Sequence, residues 1–294
     1  IYEKALFPEL EYIFKHGLTQ EVAYNSLLLK RRKEIHERIG QAIEALYPDR
    51  LEEFYEMLAY HYSKGDALEK AYHYMRLAGE KATRNHSTEE ALRFYKEAAN
   101  ILNQMPPEEE NKRKRLEVLR LMAIPLSLLG FPDDSLEILH EGEALAKELG
   151  DGRVLARFCS GLGLYYSHKG DHAKGIVYAE KGFEEARKIE DIELMTSLAF
   201  ELCTSYFGSG AFYKIVGTAQ SVLDLLEKTT IQHESLGKFV SIYPTLYAYC
   251  GNSLGQLGNF KEGIIYCEKG LRTAVKEDLR TLGLCELQYG YLLT

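Results

Sequence analysis

The sequence has no apolar run near the roughly 18 residues that a membrane-crossing helix requires, and it shows no signal peptide. It has no Gly-rich phosphate loop followed by Lys-Ser or Lys-Thr, so the chain itself offers no P-loop for a nucleoside triphosphate. Gly161-Leu-Gly163 lacks both a third glycine and a preceding strand, which removes a dinucleotide-binding reading. Metal-ligand spacings are missing too. No C-x-x-C occurs, His61 and His73 carry no H-E-x-x-H pattern, and His168 and His172 straddle a turn, so no metal and no cofactor are expected. The five cysteines (Cys159, Cys203, Cys250, Cys267, Cys285) are odd in number, far apart and set in apolar helical text. They read as buried, reduced thiols of a cytoplasmic protein. Positive charge is in deficit, with 36 Lys and Arg against 44 Asp and Glu and a net charge of -8. That balance argues against a nucleic-acid partner. The short basic runs Lys30–Lys33 and Lys112–Arg115 would meet nucleic acid or a neighbouring domain, but a solvated helix face is the plainer reading.

What is present is a core and a repeat. Apolar residues make up 46% of the chain and charged residues 27%, enough to bury a core and unlike a disordered segment. Gly163, Gly170, Gly175 and Gly182 recur 88 residues later as Gly251, Gly258, Gly263 and Gly270. The text between them recurs as well: Gly175-Ile-Val-Tyr-Ala-Glu-Lys-Gly182 matches Gly263-Ile-Ile-Tyr-Cys-Glu-Lys-Gly270. Small residues at fixed intervals between apolar ones mark close helix packing, and their faithful recurrence predicts a repeated helical hairpin.

Along the chain, Leu10–Gly17 is short, aromatic and β-branched, which predicts a strand or hairpin arm. Thr19 then stands where an N-cap would, with Gln20 and Glu21 in the first turn of a helix. Ile35, Ile39, Ala42, Ile43 and Leu46 continue an apolar stripe to Pro48. Helices are predicted over Leu51–Tyr62, Ala67–Arg84 and Thr88–Leu102, and Met105-Pro106-Pro107 is an exposed seam. Beyond it, helices close at Gly130, Gly170, Gly210 and Gly258, at intervals of 40, 40 and 48 residues. The longer interval places an insertion around Thr229–Glu234. Asp151 and Asp191 each lie 19 residues ahead of a turn glycine, and Asp278 opens a further unit. Pro244 sits near the start of a first helix, where a missing N–H costs least.

These units resemble tetratricopeptide repeats. The unit at Gly170 supplies the small residues Gly163, Gly175, Ala179 and Gly182 and the aromatic Tyr166; the unit at Gly210 supplies Cys203 and Tyr206 but departs at Ile215 and Val222. Leu254 replaces the aromatic ahead of Gly258, and no unit ends in the usual proline. The resemblance implies an all-α fold, a right-handed superhelical α-solenoid of tetratricopeptide-like helical hairpins with a short N-terminal strand and helix remnant. The N-terminal text, Tyr12-Ile-Phe-Lys-His-Gly-Leu-Thr-Gln-Glu-Val-Ala-Tyr24 with Arg31-Arg32 and His36, is similar to the junction found in STAND-type signalling ATPases. So is Leu58-Ala-Tyr-His-Tyr62, followed by Gly65-Asp66 and Ala78-Gly-Glu-Lys-Ala82. In that class a nucleotide-binding module and a winged helix precede a tetratricopeptide array, often behind an adenylate or guanylate cyclase, a kinase or a DNA-binding domain.

The resemblance implies two segments, residues 1–46 as the end of a winged-helix-like module with its linker helix, and 47–294 as the repeat array, truncated inside its last repeat. The chain begins Ile1-Tyr2-Glu3 without an initiator Met and is expected to be a piece of something longer. It is expected to be no enzyme itself. It would be a sensor that binds a peptide or partner domain on its concave face and regulates an upstream nucleotide-binding module of the same polypeptide. A passive assembly scaffold, or the regulatory portion of a nucleotide cyclase, are the alternatives. His16 would contact a nucleotide phosphate in the parent protein; packing at the strand–helix corner is the plainer reading. The repeat register places Arg120, Ile124, Arg157, Ser160, Leu164, Phe200, Thr204, Phe207, Asn252 and Gln256 in the partner-binding groove. The two arginines would clamp a carboxylate, and the two phenylalanines would either anchor a partner or bury against adjacent helices.

Overall fold

The structure is a computed structural model describing residues 2–5, 11–13, 16–228, 240–275 and 278–294. The insertion expected at Thr229–Glu234 lies outside the described residues, as do Leu10, Phe14 and Lys15 of the expected strand. The chain forms two compact units, Ile1–Pro125 and Leu126–Thr294. In the first, strand β1 (Tyr2–Ala5) pairs antiparallel with β2 (Glu11–Ile13), Tyr2 opposite Ile13. Helices α1 (Gly17–Asn25), α2 (Leu29–Leu46), α3 (Tyr55–Ser63), α4 (Leu68–Arg84), α5 (Thr88–Leu102) and α6 (Glu109–Leu128) follow, the last running three residues past the boundary at Pro125. Thr19 is not the cap of α1: His16 is the residue ahead of the helix, in extended backbone, and Thr19 lies within the first turn. The helix expected from Leu51 starts later, because Pro48–Phe54 winds as a 3-10 segment interrupted at Arg50 (φ -131, ψ 23).

The second unit holds α7 (Ser135–Glu148), α8 (Gly152–His168), α9 (His172–Lys188), α10 (Ile192–Ser209), α11 (Phe212–Leu226), α12 (Ile242–Gln256), α13 (Phe260–Thr273) and α14 (Leu279–Leu293). Consecutive helices pair as hairpins, α8 with α9, α10 with α11 and α12 with α13. The repeat punctuation has a direct physical basis. Gly170 and Gly258 close their helices at φ +87 and φ +89, a left-handed backbone that a side chain disfavours. The carboxylates of Asp151, Asp191 and Asp278 accept from the amides of Val154, Leu194 and Thr281 at 3.0, 2.9 and 3.1 Å, satisfying orphan donors at the starts of α8, α10 and α14.

The helix-facing glycines bring backbones together. A methyl on Gly163 would lie 2.9 Å from the Gly175 carbonyl oxygen, one on Gly175 2.9 Å from the Gly163 carbonyl, and one on Gly182 2.8 Å from the Ala156 carbonyl. The second copy repeats this: a methyl on Gly251 or Gly263 would lie 2.7 Å from the other's carbonyl oxygen, and one on Gly270 2.9 Å from that of Pro244. Elsewhere a ring takes the place of backbone. Tyr62 lies on Gly40, Tyr95 on Gly79 and Phe158 on Gly142, each too close for a Cβ.

A second recurring device binds one hairpin to the next. Glu180 on α9 accepts from the Tyr206 hydroxyl on α10 and from Lys214 on α11, both at 2.7 Å, while the Lys214 ammonium sits 5.3 Å from the Tyr206 ring centre. Glu227, just past α11, is bound in the same way by Tyr247 and Lys269, and Glu44 on α2 by Tyr62, Lys70 and Tyr74. Lys269 and Lys70 likewise stand over the rings of Tyr247 and Tyr62, at 4.5 and 5.0 Å. Burial pushes the Glu180 carboxyl upward, but the hydrogen bonds from Lys214 and Tyr206 outweigh it and hold the group below its ordinary value. Glu44 behaves alike, with Lys70, Tyr74 and Tyr62 overcoming burial.

Two outcomes are expected. Gly175→Ala costs about 1–3 kcal/mol in chemical denaturation because backbone cannot yield to the added methyl, whereas Gly217→Ala, exposed in the middle of α11 with nothing within 4 Å among the described residues, gains about 0.5–1 kcal/mol. Glu180→Gln costs about 1 kcal/mol at neutral pH, the modest value of a half-exposed, screened ion pair joined by a phenol. Because the folded carboxyl titrates below its ordinary 4.5, its stabilisation is complete above that pH and is lost as pH falls through the lowered value. Thermal melts across the acid range therefore fall less steeply for Glu180→Gln than for the wild type.

Candidate partner-binding faces

On α8, Arg157 and Leu164 are exposed, Leu164 by 42%, and lie seven residues apart, two turns along one helix face. Ser160 between them is nearly buried and donates its hydroxyl to Glu201 on α10, a side chain the repeat register did not mark. On α10, Thr204 is exposed; its hydroxyl lies 2.9 Å from the Phe200 carbonyl and 3.4 Å from the Tyr249 hydroxyl on α12. Phe200 and Phe207 are half-buried and pack on the unit's core. The Phe207 ring meets Tyr249 at 5.7 Å, Phe212 at 6.0 Å and Tyr291 at 6.2 Å between centres. The two phenylalanines thus join an aromatic cluster and keep part of their surface free.

The face narrows at α12. Every residue from Ile242 to Gly255 is buried. Asn252 is fully enclosed, its amide donating to Gln288 of α14 at 2.7 Å, so it is part of the interior and not of a surface. Gln256, one turn on, is exposed and reaches Asn252 at 3.4 Å. In the first unit, Arg120 and Ile124 are both exposed on α6, Ile124 by 67%. His16 is exposed ahead of α1.

Glu201, Tyr249, Gln288 and Tyr291 were not anticipated. Tyr291 had a signal: it lies 13 residues after Asp278, as Leu164 follows Asp151 and Thr204 follows Asp191. The other three depend on which helices meet, which no spacing within one helix records. Among the described residues no cluster of three or more His, Cys, Asp or Glu is placed to hold a metal ion, and no helix is long and apolar enough to cross a membrane. All five cysteines are buried and free.

No protein-family model and no curated protein matches the chain. Solved structures do. BtubC (BKLC) from P. vanneervenii superposes with a TM-score of 0.59 at 13% identity, over 84% of this chain and 91% of that one. The Rap protein complexed with competence and sporulation factor gives 0.50 at 14% identity, over 94% of this chain and 87% of that one. PH0952 from Pyrococcus horikoshii, a signal transduction ATPase with numerous domains (STAND) carrying a tetratricopeptide repeat sensor, gives 0.56 at 14% identity. There the match takes in 94% of this chain but 40% of PH0952, so the chain spans less than half of that protein. At such identities the likeness is one of fold. The chain is built of tetratricopeptide-like helical hairpins, all-α apart from the ribbon of β1 and β2.

Proposed function

We propose that this chain is a sensor module in which the exposed faces of first helices capture a peptide or partner domain, and that capture regulates an upstream nucleotide-binding module of the same polypeptide. The observation that carries the reading is the face of α8 and α10, where Arg157, Leu164 and Thr204 are exposed beside half-buried Phe200 and Phe207. A cation, an apolar side chain, a hydroxyl and two aromatic edges suit an extended segment with apolar side chains and a carboxylate. Gln256 is exposed on α12, and Arg120 and Ile124 offer a smaller face on α6. Ser160 is assigned to orienting Glu201, since its own hydroxyl is already committed.

The likeness to a protein whose repeats are called a sensor supports the regulatory half of the reading. On it, residues 1–46 are the junction to the upstream module, 47–294 the repeat array, and His16 the phosphate contact of the assembled parent. Five buried free thiols suit a reducing, cytoplasmic setting.

A displayed library of random peptides selected against this chain is expected to yield acidic, apolar binders. Arg157→Glu combined with Leu164→Asp weakens them at least about tenfold by calorimetry, the loss of one well-placed anchor. Binders unaffected by that pair would place capture elsewhere. In the parent protein, nucleotide turnover changes when residues 47–294 are removed; equal turnover with and without them would leave a passive scaffold.

A further inference from the structure

Helix α1 buries none of its residues, although Leu18 and Val22 on it are apolar. Its hold on the first unit runs through a few polar contacts. The Arg32 guanidinium of α2 donates to the Asn25 side chain at 3.2 Å, the Asn25 carbonyl at 2.8 Å and the Leu27 carbonyl at 3.0 Å, and it lies 4.8 Å from the Tyr24 ring centre. The Tyr24 hydroxyl in turn lies 3.1 Å from Nε2 of His36. His36 is 6% exposed on α2, and its other nitrogen, Nδ1, lies 2.9 Å from Nδ1 of His61 on α3. Tyr60 stands edge-on to both imidazoles, at 5.7 and 5.3 Å. An open cavity of about 500 Å³ is lined by Glu21 and Tyr24 of α1, by Leu27 just past it and by Tyr60 of α3, among others.

The proton count of this arrangement is restrictive. Two neutral imidazoles share one hydrogen bond between their Nδ1 atoms, one nitrogen donating and the other accepting. Adding one proton leaves an imidazolium bonded to an imidazole. Adding a second puts a hydrogen on both Nδ1 atoms, and two donors 2.9 Å apart, each on a cation, must separate.

We propose that the His36–His61 pair is an acid-sensitive latch: it fastens α1 to α2 and α3 through Tyr24 while the pair carries no more than one added proton, and the second proton parts the imidazoles and loosens α1, leaving it to the Arg32 contacts alone. The surrounding charges favour the closed, poorly protonated state. Lys64, just past α3, opposes a cation on His36, and Arg32 adds a second positive group over Tyr24. The carboxylates nearby in sequence are engaged elsewhere, Glu37 accepting from the Asp66 amide and Asp66 bound by Lys33. Glu21 faces the cavity from α1 itself. Burial, then Lys64, lowers the His36 value from 6.5, and burial, then His36, lowers that of His61. Both groups therefore bind protons more readily once released, so closure is complete above about pH 6.5 and is lost as pH falls from there through the lowered values.

Hydrogen exchange of the intact chain, corrected for the intrinsic pH dependence of the rate, tests this. Protection over residues 17–27 is expected to drop at least about tenfold between about pH 7.5 and about pH 5, while the buried amides of α5 hold theirs. His61→Gln, which keeps a polar side chain but cannot titrate, removes that pH dependence; unchanged dependence in this variant would overturn the latch. Should the variant fold poorly, proton NMR of the wild-type imidazoles decides. Coupled titrations below the ordinary histidine range support the pair, and two independent titrations near 6.5 overturn it.

Discussion

The structure of the second unit rests on backbone-to-backbone contact within its hairpins. Where Gly163 meets Gly175 and Gly251 meets Gly263, the space for a side chain is already filled by a carbonyl oxygen of the opposite helix. No other residue permits that approach, which is why the spacing recurs after 88 residues while much of the text between the copies differs. The α10–α11 hairpin keeps its turn glycine, Gly210 at φ +72, yet has Cys203, Ile215 and Val222 at the packing positions. All three are fully buried, so this hairpin is held by side-chain interdigitation instead. One register is thus served by two packing chemistries, with the turn glycine and a buried alanine nine residues beyond it (Ala179, Ala219) common to both.

The clips of tyrosine, lysine and glutamate solve a different problem. Glycines close a hairpin on itself, but a hairpin must also be joined to the next. Glu180, Glu227 and Glu44 each cross that junction, accepting from a phenol on the following first helix and an ammonium on its second helix. Each clip joins three helices through one carboxylate, so its loss loosens two neighbours at once. Tyr206 and Lys214, like Tyr62 and Lys70, are eight residues apart across a turn, which sets the phenol and the ammonium side by side.

What was legible in the sequence was whatever is decided within one hairpin. Turn glycines, capping aspartates and α5 at Thr88–Leu102 stand where spacing put them, because hydrogen bonds and backbone angles a few residues long determine them. Thr19 misled because an N-cap preference is worth about 1 kcal/mol and the chain enters α1 earlier, from His16. The clips were invisible for the opposite reason: Glu180 finds Tyr206 26 residues on and Lys214 34 residues on, a pairing that exists only once hairpins stack. Asn252 shows the same limit from the other side. Its position in the register matches that of Leu164 and Thr204, but α14 lies against α12 and encloses it.

That enclosure constrains where recognition can occur. The register assigns outward positions to each first helix alike, yet exposure declines along the second unit: Arg157 and Leu164 are open on α8, Thr204 on α10, and from Ile242 to Gly255 nothing on α12 is. A buried amide pair such as Asn252 with Gln288 cannot also grip a ligand without leaving one of its polar groups unsatisfied, which costs about 1–3 kcal/mol. In this unit, the capture proposed above would therefore draw on α8 and α10, where exposed side chains remain. Ser160 marks the transition, being in register with a surface position but already spent on Glu201. If the proposed capture holds, a partner that displaced Ser160 from that carboxylate would do best with a donor facing Glu201 and an apolar group facing Leu164.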